Sequence, residues 1–158
     1  MLSQTSIVKT LFILLLLAGL TGCFGGNSIV KLNASVDAAK DVNPDPGGRP
    51  SPVVVRVYQL RSLDTFKSAD FFAIYDSEVA TLGQTLVRRD EFELQPGTKT
   101  DYIDNIDPST KYIGVLAAFR DLDNARWRSF IKLPEENKIY LKIDLESLAV
   151  SVATGDHR

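Results

Sequence analysis

The stretch KIYLKIDLE, residues 138–146, sets Ile139, Leu141, Ile143 and Leu145 in strict alternation with Lys138, Tyr140, Lys142, Asp144 and Glu146. A period of two puts every second side chain on one face of an extended chain, whereas a helix repeats near 3.6. This is the pattern of a half-buried strand. It recurs from Ile29 onward, where Val30, Leu32, Ala34 and Val36 alternate with Lys31, Asn33, Ser35 and Asp37. VVVRVYQL (53–60) is rich in β-branched residues and reads as a strand buried on most of both faces, as does YIGVLAAF (112–119). WRSFIKL (127–133) alternates again, and Leu148, Val150 and Val152 suggest a last strand after a tight reversal at Glu146-Ser147. DEFELQ (90–95) and TKTDYI (98–103) flank Pro96-Gly97, a hairpin-like turn signal.

One segment changes period. In TFKSADFFAIYDSEVATLGQTLVRR, Val79, Leu82 and Leu86 fall at i, i+3 and i+7, which predicts a short amphipathic helix capped by Asp76 or Ser77. Phe66, Phe71, Phe72, Ile74 and Tyr75 precede it as an aromatic cluster, read as core rather than as a ligand box. About eight short strands with one helical insertion define the fold class as all-β, a two-sheet β-sandwich. Trp127, Ile131, Ile139, Leu141 and Ile143 are the expected core members of its alternating strands.

The amino terminus does not belong to that pattern. Lys9 precedes LFILLLLAGL (11–20), an apolar run too short to cross a hydrocarbon core that needs about 20 residues. A basic start and a short apolar core make a secretory signal peptide. It ends in Leu20-Thr21-Gly22-Cys23, the lipobox pattern, in place of an A-x-A-like site. Cys23 is the only cysteine of the chain, so no disulfide between two of its own thiols is possible. The lipobox reading makes Cys23 the new amino terminus and its thiol the carrier of diacylglycerol. The alternative is a plain signal peptide with a chance cysteine. Several acyl chains together give the durable attachment that one chain lacks. Phe24, where an Asp would resemble an inner-membrane retention signal, favours the outer membrane. Residues 1–22 are thus the expected signal peptide, residues 23–28 the acylated cysteine and a Gly-rich tether, and residues 29–158 the sandwich domain.

Cleavage leaves 136 residues, enough for one domain with a real core. Only Lys9 is lost among the charges, so 17 basic side chains face 20 acidic ones, a net charge of −3. That mild acidity offers no footprint for nucleic acid. His157, the sole histidine, stands next to the carboxyl terminus, which leaves no ready Ser-His-Asp triad, Cys-His pair or zinc site. Asp121 and Asp123 in FRDLDNARW fail the calcium-loop pattern, because Ala125 and Arg126 occupy positions that it needs. They read as a solvated turn. Asp101, Asp104 and Asp107 could pair as acid and base, but nothing gathers them into a pocket. No catalytic residue, metal site or cofactor is assigned beyond the covalent lipid on Cys23.

DVNPDPGGRPSP (41–52) holds four of the seven prolines and two adjacent glycines. It joins the first two strands and is too long for a tight hairpin, whose loops run about 2 to 5 residues. Its prolines would lower the ordering cost of binding a partner. The plainer account is an ordinary surface connection.

The run NPDPGGRPSPVVVRVYQL, then ADFF, then a Pro-Gly, then GVLAAFRDLDNARWR, in order behind a lipobox, resembles the TssJ family, outer-membrane lipoproteins of the bacterial type VI secretion system. The resemblance implies a transthyretin-like β-sandwich with added helices and no enzymatic activity. It also implies that the domain faces the periplasm and holds the periplasmic C-terminal region of TssM, which with TssL completes an envelope-spanning complex. The partner-binding loop then corresponds to residues 40–51, with Asn43, Pro44, Asp45, Gly47, Gly48 and Arg49 as contact candidates. Arg49 is the preferred single contact, since arginine is enriched at interface hot spots. A periplasmic enzyme on the same fold, and a lipoprotein chaperone of another envelope assembly, are the alternatives.

Overall fold

Alternation turns directly into burial in β1 (Val30–Ala38) and β7 (Lys138–Glu146). In a computed structural model, which describes residues 29–156, these strands lie parallel, with Leu32 opposite Ile139, Ala34 opposite Leu141 and Val36 opposite Ile143. All six are buried, while Lys31, Lys138 and Lys142 face solvent. β4 (Lys99–Ile106) pairs antiparallel with the free side of β1, and β8 (Ala149–Thr154) with β7, giving the order β4-β1-β7-β8. The second sheet, antiparallel throughout, runs β3 (Leu86–Leu94), β2 (Val53–Leu60), β5 (Tyr112–Ala118) and β6 (Arg128–Lys132). The expected two-sheet sandwich of eight strands is what forms.

β2 and β5 are apolar on both faces for a structural reason. Val53, Val55, Val57, Ile113 and Val115 point into the core between the sheets. Tyr58, Leu60 and Leu116 point the other way, into a second core under a helical layer. That layer consists of α1 (Asp64–Ser68) and α2 (Phe71–Leu82). Phe66 lies so close to β5 that a Cβ at Gly114 would come within 2.8 Å of its ring, so glycine there is what lets helix and sheet meet. Arg128 of β6 donates from Nη1 to the carbonyls of Phe66 and Ala69 at 2.9 and 2.6 Å, satisfying the C-terminal end of α1.

The helical segment departs from the 3.6-period reading. α2 starts earlier than expected, capped by Asp70, whose Oδ1 accepts from the Ala73 N–H at 2.8 Å. Ser77, expected as a cap, instead interrupts the helix with φ −136° and ψ 41°. That break rotates the second half, so Val79 is 72% exposed, and Leu86 belongs to β3. Phe71, Ile74 and Leu82 form the buried face instead. The aromatic cluster is core as expected, except that Phe72 is 61% exposed. Arg56 fastens the helix to the sheet: its Nε donates to Glu91 at 2.6 Å, its Nη1 to the Tyr75 carbonyl at 2.6 Å, and its guanidinium lies 3.9 Å from the Tyr75 ring centre.

Two further expectations are corrected. Pro96-Gly97 does make a tight turn, with Gly97 at φ 73° and the Thr98 N–H donating to the Gln95 carbonyl at 3.1 Å. The strands that it joins do not pair: β3 lies in one sheet and β4 in the other, so the turn crosses the sandwich and closes no hairpin. Ile131 on β6, an edge strand with a partner on one side only, and Trp127 just before it are partly buried and pack against the cores from their margin. Ile139, Leu141 and Ile143 are 1–2% exposed, as expected.

Tyr58 yields a test of the helical layer. Its hydroxyl is buried without a hydrogen-bond partner, and burial pushes its pKa up to about 12, against a smaller opposing pull from the Arg56 guanidinium. A phenol held more tightly protonated in the folded state supplies stability that is whole below pH 10 and is lost as pH rises through 12. Tyr58→Phe is therefore expected to leave stability within about 1 kcal/mol at pH 7 and to shrink the loss between pH 10 and 12. Urea unfolding across that range measures both; an unchanged alkaline slope would show that Tyr58 does not titrate with unfolding.

Candidate functional site

Because β1 and β7 are parallel and every other pair of neighbouring strands is antiparallel, the connections sort to two ends. The β1–β2, β3–β4, β5–β6 and β7–β8 connections share one end. Ile29 and the β4–β5 and β6–β7 connections share the other. A strand of nine residues separates the two by about 25–30 Å. The proline-rich segment thus stands at the end opposite to where the chain enters the domain.

That segment is tightly organised. Asn43 has a φ of 51°, left-handed backbone that asparagine tolerates better than most non-glycine residues, and is 2% exposed. Its backbone N–H donates to the Ser147 carbonyl at 2.8 Å, its Nδ2 to the Pro52 carbonyl at 2.6 Å, and its Oδ1 accepts from the Arg120 N–H at 2.8 Å. One residue therefore joins the loop to the β5–β6 connection through its side chain and to the β7–β8 connection through its backbone. The Ser51 N–H bonds to the Val42 carbonyl at 3.1 Å and closes the loop's neck.

The tip is built around Asp45. Its Oδ1 accepts from the N–H groups of Gly47 and Arg49 at 2.8 and 3.0 Å, and its Oδ2 from Arg49 Nε at 2.8 Å, with Nη2 also 2.8 Å away. The Asp45 N–H returns to the Arg49 carbonyl at 2.9 Å, and the Gly48 N–H to the Asp45 carbonyl at 2.8 Å. Arg49, through its backbone N–H and its guanidinium, holds the Asp45 carboxyl below the usual carboxylate range. Gly48 sits at φ 76°, where a side chain would be strained. Of the six contact candidates, Pro46's neighbours Gly47, Gly48 and Arg49 are exposed, Pro44 and Asp45 are half-buried, and Asn43 is buried. Asn43 is thus a support for the loop and not a surface contact. Cys23 lies outside the described residues, as does His157.

Elsewhere the carboxylates are held by fixed donors, Asp90 and Asp104 sharing the Arg88 guanidinium and the Tyr102 hydroxyl. Asp101 and Asp104 fall on β4 rather than in a loop, while Asp107 opens the turn that follows it. Asp104 is buried, accepting from Gln59 Nε2 at 2.7 Å and Arg88 Nη1 at 2.8 Å. Asp107 accepts from the Ser109 N–H at 2.8 Å. Asp121 accepts from Asn124 Nδ2 at 2.9 Å, a solvated turn as read. A cleft of about 790 Å³ at the Ile29 end is lined by Lys111, Lys132, Glu135 and Glu136 around Leu133 and Ile139. Among the described residues no group of His, Cys, Asp or Glu could hold a metal ion.

The fold and this loop define a β-sandwich that presents a stiff, internally bonded loop at one end. The family model of the type VI secretion lipoproteins (T6SS-SciN; VasD, EvfM, TssJ) matches residues 30–148, and the chain belongs to that family. It is 33% identical to the type VI secretion lipoprotein TssJ1 from Pseudomonas aeruginosa, with a TM-score of 0.79 over 82% of this chain and 99% of that one. Serratia marcescens Lip, a membrane-bound component of the type VI secretion system, is 27% identical with a TM-score of 0.74, over 82% and 99%. A chain of a type VI membrane complex is 27% identical with a TM-score of 0.69, over 81% and 99%. No curated protein matches the chain significantly.

Proposed function

We propose that this lipoprotein is a non-enzymatic binding component of the type VI secretion membrane complex, held to the outer membrane by lipid on Cys23 and bound through its β1–β2 loop to the periplasmic C-terminal region of TssM, with TssL joined through the complex. The observation that carries this reading is the placement of the loop. Six residue steps separate Cys23 from Ile29, a reach of about 20 Å at most. The lipid therefore confines the Ile29 end to the membrane, while the loop stands at the far end, directed into the periplasm. The 27% identity to a chain of a type VI membrane complex supports the assembly. The loop's internal bonds support recognition with little ordering cost.

The test keeps Asn43, since replacing it would remove both side-chain bonds that hold the base of the loop. Residues 44–49 are exchanged for a Gly/Ser segment of equal length, and binding to the TssM C-terminal region is measured by calorimetry beside the melting temperature. Loss of Arg49 and of the loop's order is expected to weaken binding at least thirtyfold, about 2 kcal/mol, with near-normal melting. Undiminished affinity would place the contact elsewhere on the sandwich.

A further inference from the structure

The β1–β2 loop is not the whole of its own surface. Asn43 Oδ1 holds the Arg120 N–H at 2.8 Å, so the β5–β6 connection, 77 residues further along the chain, is bonded to the base of the loop. Arg120 and the Arg49 side chain, the latter 84% exposed, both stand out from this end. Asp45 serves both. It is bonded to Arg49, and the charge of Arg120 also reaches it and helps to hold its carboxyl low. Arg120 itself forms no ion pair among the described residues.

We propose that the partner-binding surface is composite, with Arg120 of the β5–β6 connection acting beside Arg49 of the β1–β2 loop, and that the TssM surface they meet presents carboxylate side chains. Asp41, Asp121 and Asp123 stand on the same connections, so it is these two guanidinium groups, and no net positive field, that would receive a carboxylate. Guanidinium is weakly hydrated and bonds carboxylates through two parallel N–H groups, which suits it to an interface. Asp45 orients Arg49 before binding, so its fork is already placed when a second carboxylate arrives. Asn43 is the positioning residue that keeps the two arginines on one surface. This inference rests on the loop reading above.

The experiment uses the acylated mature protein in detergent and the purified TssM C-terminal region. Kd is measured for the wild type, the 44–49 replacement, Arg120→Glu, Arg120→Lys and Arg49→Glu/Arg120→Glu, each between 50 and 300 mM salt. Arg120→Glu is expected to raise Kd at least tenfold, the double variant at least a hundredfold, and Arg120→Lys only a few-fold. The salt dependence of binding should flatten in both Glu variants, because a charge pair has been removed. Melting temperatures are expected to stay near wild type, since Arg120 contributes to the fold through its backbone. If the 44–49 replacement abolishes binding while Arg120→Glu stays within twofold, the composite surface is overturned and the loop reading stands. If neither changes Kd, the loop reading itself fails. Loss in Arg120→Glu with unchanged salt dependence would overturn the carboxylate partner.

Discussion

Cys23→Ser is expected to leave an uncleaved, unacylated precursor and to abolish type VI secretion while the domain stays folded. The anchoring chemistry needs a thiolate sulfur as nucleophile, and a serine hydroxyl does not replace it. The described domain begins at Ile29, and its cores are built from residues at and beyond Leu32, so the substitution removes the attachment without touching the packing. Each buried methylene of an acyl chain contributes about 0.8 kcal/mol, and several chains give an attachment that survives washing. Without them the loop at the far end has no fixed distance from the membrane. Membrane fractionation with radiolabelled palmitate, alongside a secretion assay, reads both consequences. Secretion at the wild-type level by an unlabelled Cys23→Ser protein would refute the anchor.

The largest expected loss of stability comes from Leu141→Ala. Leu141 is 2% exposed, opposite Ala34 on the parallel strand β1 and Thr154 on β8, in the middle of the first sheet. The neighbours across it, being β-sheet side chains held in register on both sides, have little freedom to close the space. Large-to-small substitutions at such sites cost about 2 to 5 kcal/mol, the upper part of the range applying where the site cannot collapse. Chemical unfolding with calorimetry gives the value. A loss below about 0.5 kcal/mol, the size of an ordinary surface substitution, would mean that Leu141 does not face the core and that β7 is out of register. Binding to TssM is a useful companion measurement, because β7 leads directly into the Ser147 carbonyl that holds the Asn43 N–H.

Alternation of side chains is a property of one extended segment, and it was legible without any knowledge of its neighbours. β1, β2, β5 and β7 run over the residues that their patterns mark, and the inward set Leu32, Ala34, Val36, Ile139, Leu141 and Ile143 is buried. The same is true of the eight-strand count and of the order of motifs that places the chain with the type VI secretion lipoproteins. The helical period was less secure, since Ser77 breaks the helix and turns Val79 outward, a rotation that no fixed period anticipates.

Pairing is a different kind of fact. Whether the strands at Pro96-Gly97 join each other or cross between sheets is decided by which apolar faces can be covered together, and here Leu94 and Ile106 enter the inter-sheet core from opposite sheets. Trp127 and Ile131 carry the same alternating signal as β7, but they sit before and on an edge strand with one neighbour and stay only partly buried. Asn43 carried one local sign, as a residue that favours positive φ, but its bond to Arg120 joins positions 77 apart. The sequence by itself determined which segments are strands and which of their faces seek the core, because each depends on a few consecutive residues. Only the tertiary structure decided that Asn43 is a buried clamp, that the Arg120 backbone is bonded to the base of the loop, and that the loop and Ile29 lie at opposite ends of the sandwich, because these follow from how distant strands close over one another.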